Sequence, residues 1–200
     1  MTRAVEEAVA AIRNGEAVVL ATDTVYGLAA SAYAEGPALR LYALKERPRS
    51  TPCALLGADL DAILDAVPEL RGRAAIAARA LLPGPYTLVL PNPSTRFRWL
   101  CGENPQAIGI RVPELPPLAR QVVERVGVVA STSANLHGEP DLRRTSEISP
   151  KLGEKVAVIL DEGLLPGTPS TVLDLTGASP RVVREGAGSV ASALDLLVTA

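Results

Sequence analysis

A distributed set of polar side chains could do chemistry in this chain: hydroxyls at Thr22, Thr24, Ser131, Ser133, Ser170 and Thr171, cations at Lys45, Arg47, Arg111 and Arg184, and the amide of Asn135. Most of them sit where a short apolar run begins or ends. Hydroxyls and amides at strand ends, combined with several guanidinium groups, suit a small polar substrate plus a phosphate chain, because Arg grips phosphate oxygens bidentately. Singly, each has a bland role: Thr24 or Ser170 as a cap or turn residue, Arg184 as a solvated strand end. Only the combination points to a site.

Other chemistries lack their residues. His137 is the sole histidine and there is no Gly-x-Ser-x-Gly turn, so a nucleophile triad would have to be built on that one imidazole. None of the three lysines, Lys45, Lys151 and Lys155, follows a glycine, which excludes a Walker-type phosphate loop. Gly186-Ala187-Gly188-Ser189-Val190-Ala191 matches a dinucleotide fingerprint, but the further strand and acidic residue that such a fold needs do not follow it. A glycine-rich turn capping a last helix is expected there instead. Cys53 and Cys101 lie far apart without a Cys-x-x-Cys or Cys/His cluster, and read as two semi-buried thiols of a reducing compartment.

Composition frames these residues. Two hundred residues that are 48% hydrophobic and 21% charged fit one globular domain, 1–200, and not a disordered chain. Lys+Arg 20 against Asp+Glu 22 leaves a net charge of −2, so no general basic field attracts nucleic acid or anionic lipid. Phosphate chemistry must therefore use locally placed cations. The segment Met1–Glu7 lacks the apolar core of a signal peptide, and no stretch reaches the ~18 apolar residues of a membrane span. A cytoplasmic protein without membrane contact is expected.

The elements that must position the polar set follow from periodicity. Val5, Ala8, Val9 and Ile12 recur at helical spacing before the Asn14-Gly15 stop, and the continuous apolar run 17–21 reads as a buried strand ending in Thr22-Asp23-Thr24. A helix over 38–43 delivers Lys45-Glu46-Arg47-Pro48 at a helix-to-strand junction, and a strand over 53–56 follows. Helices are expected over 59–67, 69–82, 118–126 and 190–198, and strands over 86–90, 107–112, 128–130, 156–160, 171–175 and 181–184. Residues 92–105 read as a surface loop pinned by Phe97 and Trp99 with no role in chemistry, and 136–149 as a loop or short helix. Strands joined both by helices and by tight turns imply a mixed α/β sheet.

With the blocks laid in order, the chain resembles the YrdC/Sua5 family. The resemblance rests on Thr22-Asp23-Thr24-Val25-Tyr26-Gly27-Leu28, Lys45-Glu46-Arg47-Pro48, Pro83-Gly84-Pro85-Tyr86-Thr87, Arg111-Val112-Pro113, Ser131-Thr132-Ser133-Ala134-Asn135 and Ser170-Thr171-Val172-Leu173-Asp174. It runs from about residue 5 to 188, with the Lys-x-Arg and Ser-x-Asn elements as signatures. It implies a twisted mixed α/β sheet with a large, positively lined cavity, in the short single-domain form. The implied activity is that of an L-threonylcarbamoyladenylate synthase, in which L-threonine, bicarbonate and ATP give threonylcarbamoyl-AMP and pyrophosphate for N6-threonylcarbamoylation of adenosine 37 in tRNA.

By the same resemblance, Lys45 and Arg47 are catalytic, holding the triphosphate and stabilising the leaving group, and Thr51, Ser133, Asn135, Asp141 and Arg184 complete the ATP site. Arg111 is expected to pair with the threonine carboxylate, with Thr24, Ser131 and Ser170 around the amino acid. Lys45 and Arg47 are both expected to face the cavity, so that their alanine variants stay folded. Magnesium is expected to arrive with ATP and not on protein side chains. No side-chain general base stands out, and the carbamate is already nucleophilic. Implied partners are the threonylcarbamoyl transferase proteins, by direct handover of the adenylate, with weak RNA or tRNA binding as a secondary expectation.

Three positions depart from the family pattern. Asp23 is one methylene shorter than the usual Glu, Leu56 stands where some longer members carry a histidine, and Val183-Arg184-Glu185-Gly186 replaces Leu-Arg-Pro-Gly. Competing readings are a carbamoyl-adenylate former of hydrogenase maturation, an RNA-binding module, and a nucleotide- or amino-acid-binding domain without turnover.

Overall fold

The computed structural model describes residues 2–199. Its strands are β1 (Val18–Leu20), β2 (Gly27–Ser31), β3 (Ala54–Leu56), β4 (Tyr86–Pro91), β5 (Ala107–Arg111), β6 (Val129–Ser133), β7 (Val158–Ile159), β8 (Thr171–Asp174) and β9 (Arg181–Arg184). Its helices are α1 (Arg3–Arg13), α2 (Glu35–Lys45), α3 (Leu60–Ala66), α4 (Arg73–Leu81), α5 (Pro117–Val126), α6 (Pro150–Gly153) and α7 (Val190–Thr199). The strands form one mixed sheet in the order β7-β1-β2-β6-β3-β5-β4-β8-β9. Pairs β1/β7, β3/β5 and β4/β8 are parallel and the others antiparallel.

Alternation along the strands explains both faces. On one face Leu28, Leu55, Leu88, Leu90, Ile108, Ile110, Ala130 and Leu173 are fully or almost fully buried in a single core with residues of α2, α3, α4 and α7. On the other face a smaller core covers only one end, where Val18, Leu20, Ala29, Leu56 and Val129 pack against Val5, Val9 and Ile12 of α1 and Ala119, Val122 and Val123 of α5. Beyond those two helices the second face is bare. There the strands present Ala54, Thr87, Val89, Ala107, Gly109, Arg111, Ser131, Ser133, Val172 and Asp174, which line a cavity of about 730 Å³.

Two features differ from the sequence reading. Strand β2 was not expected, because Gly27-Leu28-Ala29-Ala30-Ser31 carries small residues of low strand propensity; it exists because β1 and β6 each offer a ladder to it. Residues 92–105 do more than hang on aromatics. Asn92, nearly fully buried, donates to the Arg96 and Pro105 carbonyls at 2.9 and 3.0 Å and accepts from the Arg96 amide. That tie folds the loop back so that Cys101, Glu103 and Asn104 form a wall of the cavity. The glycines at 186 and 188 do serve a turn before α7, and they are required by packing: a Cβ at Gly186 would overlap the Pro169 carbonyl, and one at Gly188 the Tyr86 ring.

The connection from β7 to β8 crosses seven inter-strand steps, roughly 34 Å at about 4.8 Å each, so its residues must run nearly extended. It is pinned along its length. The Tyr26 hydroxyl donates to the Gly163 carbonyl at 2.8 Å and accepts from the Glu162 amide at 3.0 Å, and the Gly167 amide donates to the Thr24 carbonyl at 2.8 Å. The Glu162 carboxylate also accepts from the Leu118 and Ala119 amides at 2.8 and 3.0 Å, capping the positive end of α5. Glu162→Ala is expected to cost about 1–2 kcal/mol by chemical denaturation, as loss of a helix cap does.

Candidate active site

Arg47 reaches the cavity because α2 stops abruptly. Glu46 adopts a left-handed conformation with φ of 55°, and the Arg47 amide closes the turn on the Tyr42 carbonyl at 2.9 Å. The chain then leaves the helix axis and carries the guanidinium to the sheet, where it donates to Thr132 Oγ1 at 2.7 Å and to the Pro52 carbonyl at 2.9 Å. Its Nε is buried without a partner. A half-buried guanidinium with spare donors at a cavity wall is set up to take an anionic ligand.

Lys45 corrects the expectation that it faces the cavity. It is 2% exposed, on the same helical face as Ala38, Leu41 and Tyr42. Its ammonium donates to the Ser133 carbonyl at 2.7 Å and to the Asn135 carbonyl and Oδ1 at 2.8 Å each, with Ser133 Oγ at 3.3 Å. The His137 amide returns a bond to the Lys45 carbonyl at 3.0 Å. Lys45 is therefore a staple that fastens the Ser-x-Asn loop to the end of α2. Burial, with the charge of Arg47 added, pushes the ammonium down to about 8. It is charged below that pH and neutral above it, so turnover is expected to fall as pH rises through about 8, and a pH–rate profile reads this directly.

Asn135 is also turned inward. Its Oδ1 accepts from Lys45 and from Ser133 Oγ at 2.6 Å, and its Nδ2 donates to the Glu139 carbonyl. Thr24 is fully buried and accepts from Arg111 Nη2 at 2.5 Å. Neither residue lines the cavity, so each acts on it through a neighbour: Asn135 through Ser133, Thr24 through Arg111.

Arg111, last residue of β5, lies on the cavity face but is tightly held. Its Nη2 donates to Asp23 Oδ1 at 2.6 Å and lies 3.3 Å from Thr22 Oγ1, and its buried Nε has no partner. Burial lowers the guanidinium pKa, the Asp23 carboxylate opposes that, and Arg184 adds to it. The shorter Asp23 side chain thus still makes the ion pair. Arg184 closes the far wall, donating from Nη2 to the Ser170 carbonyl at 2.7 Å, and Ser170 Oγ lies 2.8 Å from Thr87 Oγ1. Burial and repulsion from Arg47 lower the Arg184 pKa while Asp141 raises it, so these three charges share one space.

Of the residues singled out from sequence, Arg47, Thr51, Arg111, Ser131, Ser133, Asp141, Ser170 and Arg184 line this cavity, whereas Lys45, Asn135 and Thr24 stand behind its wall, and Thr22 and Thr171 are buried without lining it. Thr87, Thr132, Asp174 and Arg181 were not singled out. Thr87 could have been found by alternation, since it shares a strand face with Val89 opposite the buried Leu88 and Leu90. Thr132, between Ser131 and the signature Ser133, shows its role only once Arg47 is placed.

A mixed sheet with one bare, Arg-lined face is the architecture of a known class. The chain belongs to the Sua5/YciO/YrdC family, whose model, described as "Telomere recombination", matches residues 10–186. The threonylcarbamoyl-AMP synthase of Stenotrophomonas maltophilia is 34% identical over 161 residues, 78% of this chain and 84% of that protein. A Mycobacterium tuberculosis protein provisionally given the same name is 34% identical over 197 residues, 98% of this chain and 90% of its own length. Pyrococcus abyssi Sua5, solved in complex with L-threonine, superposes with a TM-score of 0.87 at 29% identity, covering 96% of this chain and 56% of that longer one. No helix among the described residues is long and apolar enough to cross a membrane.

Proposed function

We propose that this protein is a nucleotidyltransferase that makes threonylcarbamoyl-AMP and pyrophosphate from L-threonine, bicarbonate and ATP, for N6-threonylcarbamoylation of adenosine in tRNA. The observation that carries this reading is the convergence of Arg47, Arg111 and Arg184 with Thr51, Ser131, Ser133, Ser170 and Asp141 on one cavity of about 730 Å³. The names of the relatives and the threonine-bound neighbour support the choice of substrates.

The chemistry needs positioning and charge more than a covalent participant. The threonine amine and bicarbonate condense to a carbamate with loss of water; a carbamate oxygen attacks the α-phosphorus of ATP, and pyrophosphate leaves with the extra negative charge. Arg47, held at both ends by Thr132 and Pro52, would take the phosphate oxygens and the charge that develops on the leaving group. Lys45 contributes by fixing Ser133 and by its charge, and Arg184 by its position beside Ser170. Arg111 would hold the amino acid carboxylate with the donors that Asp23 and Thr24 leave free. Magnesium fits as a passenger on the triphosphate. Phosphate oxygens and water would hold the ion, as magnesium keeps most of its waters when it travels with a nucleotide, and Asp174 on the cavity wall pairs with Arg181 at 2.8 Å.

Handover of the product to a threonylcarbamoyl transferase belongs to the same proposal, since a mixed carbamic-phosphoric anhydride decomposes unless it is passed on. Incubation with labelled bicarbonate, ATP and L-threonine tests the assignment. Label in an AMP adduct that forms only with L-threonine is the expected result; label confined to free bicarbonate would overturn it.

A further inference from the structure

We propose that Gly109 is a specificity-determining residue, whose missing side chain makes the room that a β-branched amino acid needs in the cavity; this rests on the function proposed above. Gly109 sits in the middle of β5, between Ala107 and Arg111 on the cavity face, with Ile108 and Ile110 buried on the other. Of the two glycines within strands, Gly27 is crowded, its added Cβ lying 3.2 Å from the Thr132 carbonyl. Gly109 is not: a Cβ there would meet nothing closer than the Cys53 carbonyl and Thr87 Cγ2, both at 3.8 Å, and its backbone φ is not in the left-handed region. Neither packing nor conformation calls for glycine, which weakens a strand interior. What remains is the close approach of something that occupies the cavity.

The neighbours of Gly109 identify that occupant by its chemistry. Across the sheet the register runs Ser131, Ala54, Gly109, Val89, so between Ser131 and Val89 the floor carries nothing larger than one methyl. Along β5, Arg111 lies two residues away, about 7 Å. Thr87, whose methyl comes within 3.8 Å of the added Cβ, lies 2.8 Å from Ser170 by its hydroxyl. Gly109 is thus ringed by a guanidinium and the serine hydroxyls of the amino acid end of the cavity. A carboxylate on Arg111 sets the body of a small amino acid over this flat patch, and one methyl of floor depth decides whether a β-methyl fits.

The test is Gly109→Ala, which adds one methyl at ordinary contact distance. The variant is expected to fold, with Tm unchanged or raised by roughly 1–3 °C. Its kcat/KM for L-threonine in pyrophosphate release is expected to fall about tenfold or more, while that for L-serine changes less than about threefold and KM for ATP stays put. Calorimetric titration with the same two amino acids gives the ratio without turnover. An unchanged threonine-to-serine ratio, or a rise confined to KM for ATP, overturns the inference alone. Wild-type protein that neither turns over nor binds L-threonine overturns the proposed function and this inference together.

Discussion

Arg47→Ala is expected to leave a folded protein whose release of pyrophosphate is slower by about 100-fold or more, the usual cost of removing one preorganised donor to developing charge. The stability cost should be small. Arg47 is half-buried, and its loss frees the Thr132 hydroxyl and the Pro52 carbonyl beside an open cavity where water can replace it, about 1 kcal/mol in all. The fall should appear in kcat as well as in kcat/KM for ATP, because the group is asked to stabilise the leaving pyrophosphate and not merely to hold ATP. Arg47→Lys keeps a charge but cannot donate to Thr132, Pro52 and a phosphate at once, so it should recover only a minor part of the rate. Circular dichroism and thermal melting beside the kinetics check that the fold persists.

Lys45→Ala should behave differently, although it lies two residues away. The Ser133 and Asn135 carbonyls would each lose a buried donor, at about 1–3 kcal/mol per orphaned group before relaxation, and Asn135 Oδ1 would keep only its bond from Ser133 Oγ. A net loss of about 2–5 kcal/mol is expected, which for a chain of this size lowers Tm by roughly 10 °C. Turnover should also collapse, because Ser133 and the loop to Glu139 lose their anchor. Lys45→Met keeps the packed volume and removes only the ammonium, so a Met variant as unstable as the Ala variant assigns the effect to the staple and not to a cavity. Wild-type stability in both variants with activity abolished would instead mean that Lys45 works as a ligand to substrate.

How much of this was legible varied with the physics involved. Strong alternation was readable: in β5 the pattern Ala107-Ile108-Gly109-Ile110-Arg111 places the two isoleucines in the core and Arg111 on the open face. The order of polar blocks was enough to identify the family and eight of the cavity-lining residues. The orientation of Lys45 was not drawn out, yet it was signalled. Lys45 stands four residues after Leu41 and seven after Ala38, on the buried face of α2, so helical spacing turns its side chain inward even though its charge suggests an exposed position. Strand β2 was hidden because its pairing is supplied by its neighbours and not by its own small residues. The wall formed by Glu103 and Asn104 depends on the Asn92 side chain closing a loop onto itself, a contact no local pattern announces.

The ion pair of Asp23 with Arg111 shows how a departure from the family pattern can be absorbed. Both side chains are about nine-tenths buried, and their 2.6 Å contact joins the first polar block to the end of β5. Asp23 Oδ2 also lies 3.4 Å from the Glu114 amide, so the shorter acid still braces the turn after β5.

The most direct measurement is pyrophosphate release from ATP by the purified protein, with bicarbonate present or omitted and with L-threonine, L-serine, L-valine or no amino acid. Release that requires both bicarbonate and L-threonine, runs more slowly with L-serine and is absent with L-valine is the result this account predicts. Release indifferent to bicarbonate and amino acid would contradict it, and none at all despite saturable binding of ATP and L-threonine would contradict it and leave a binding domain in its place.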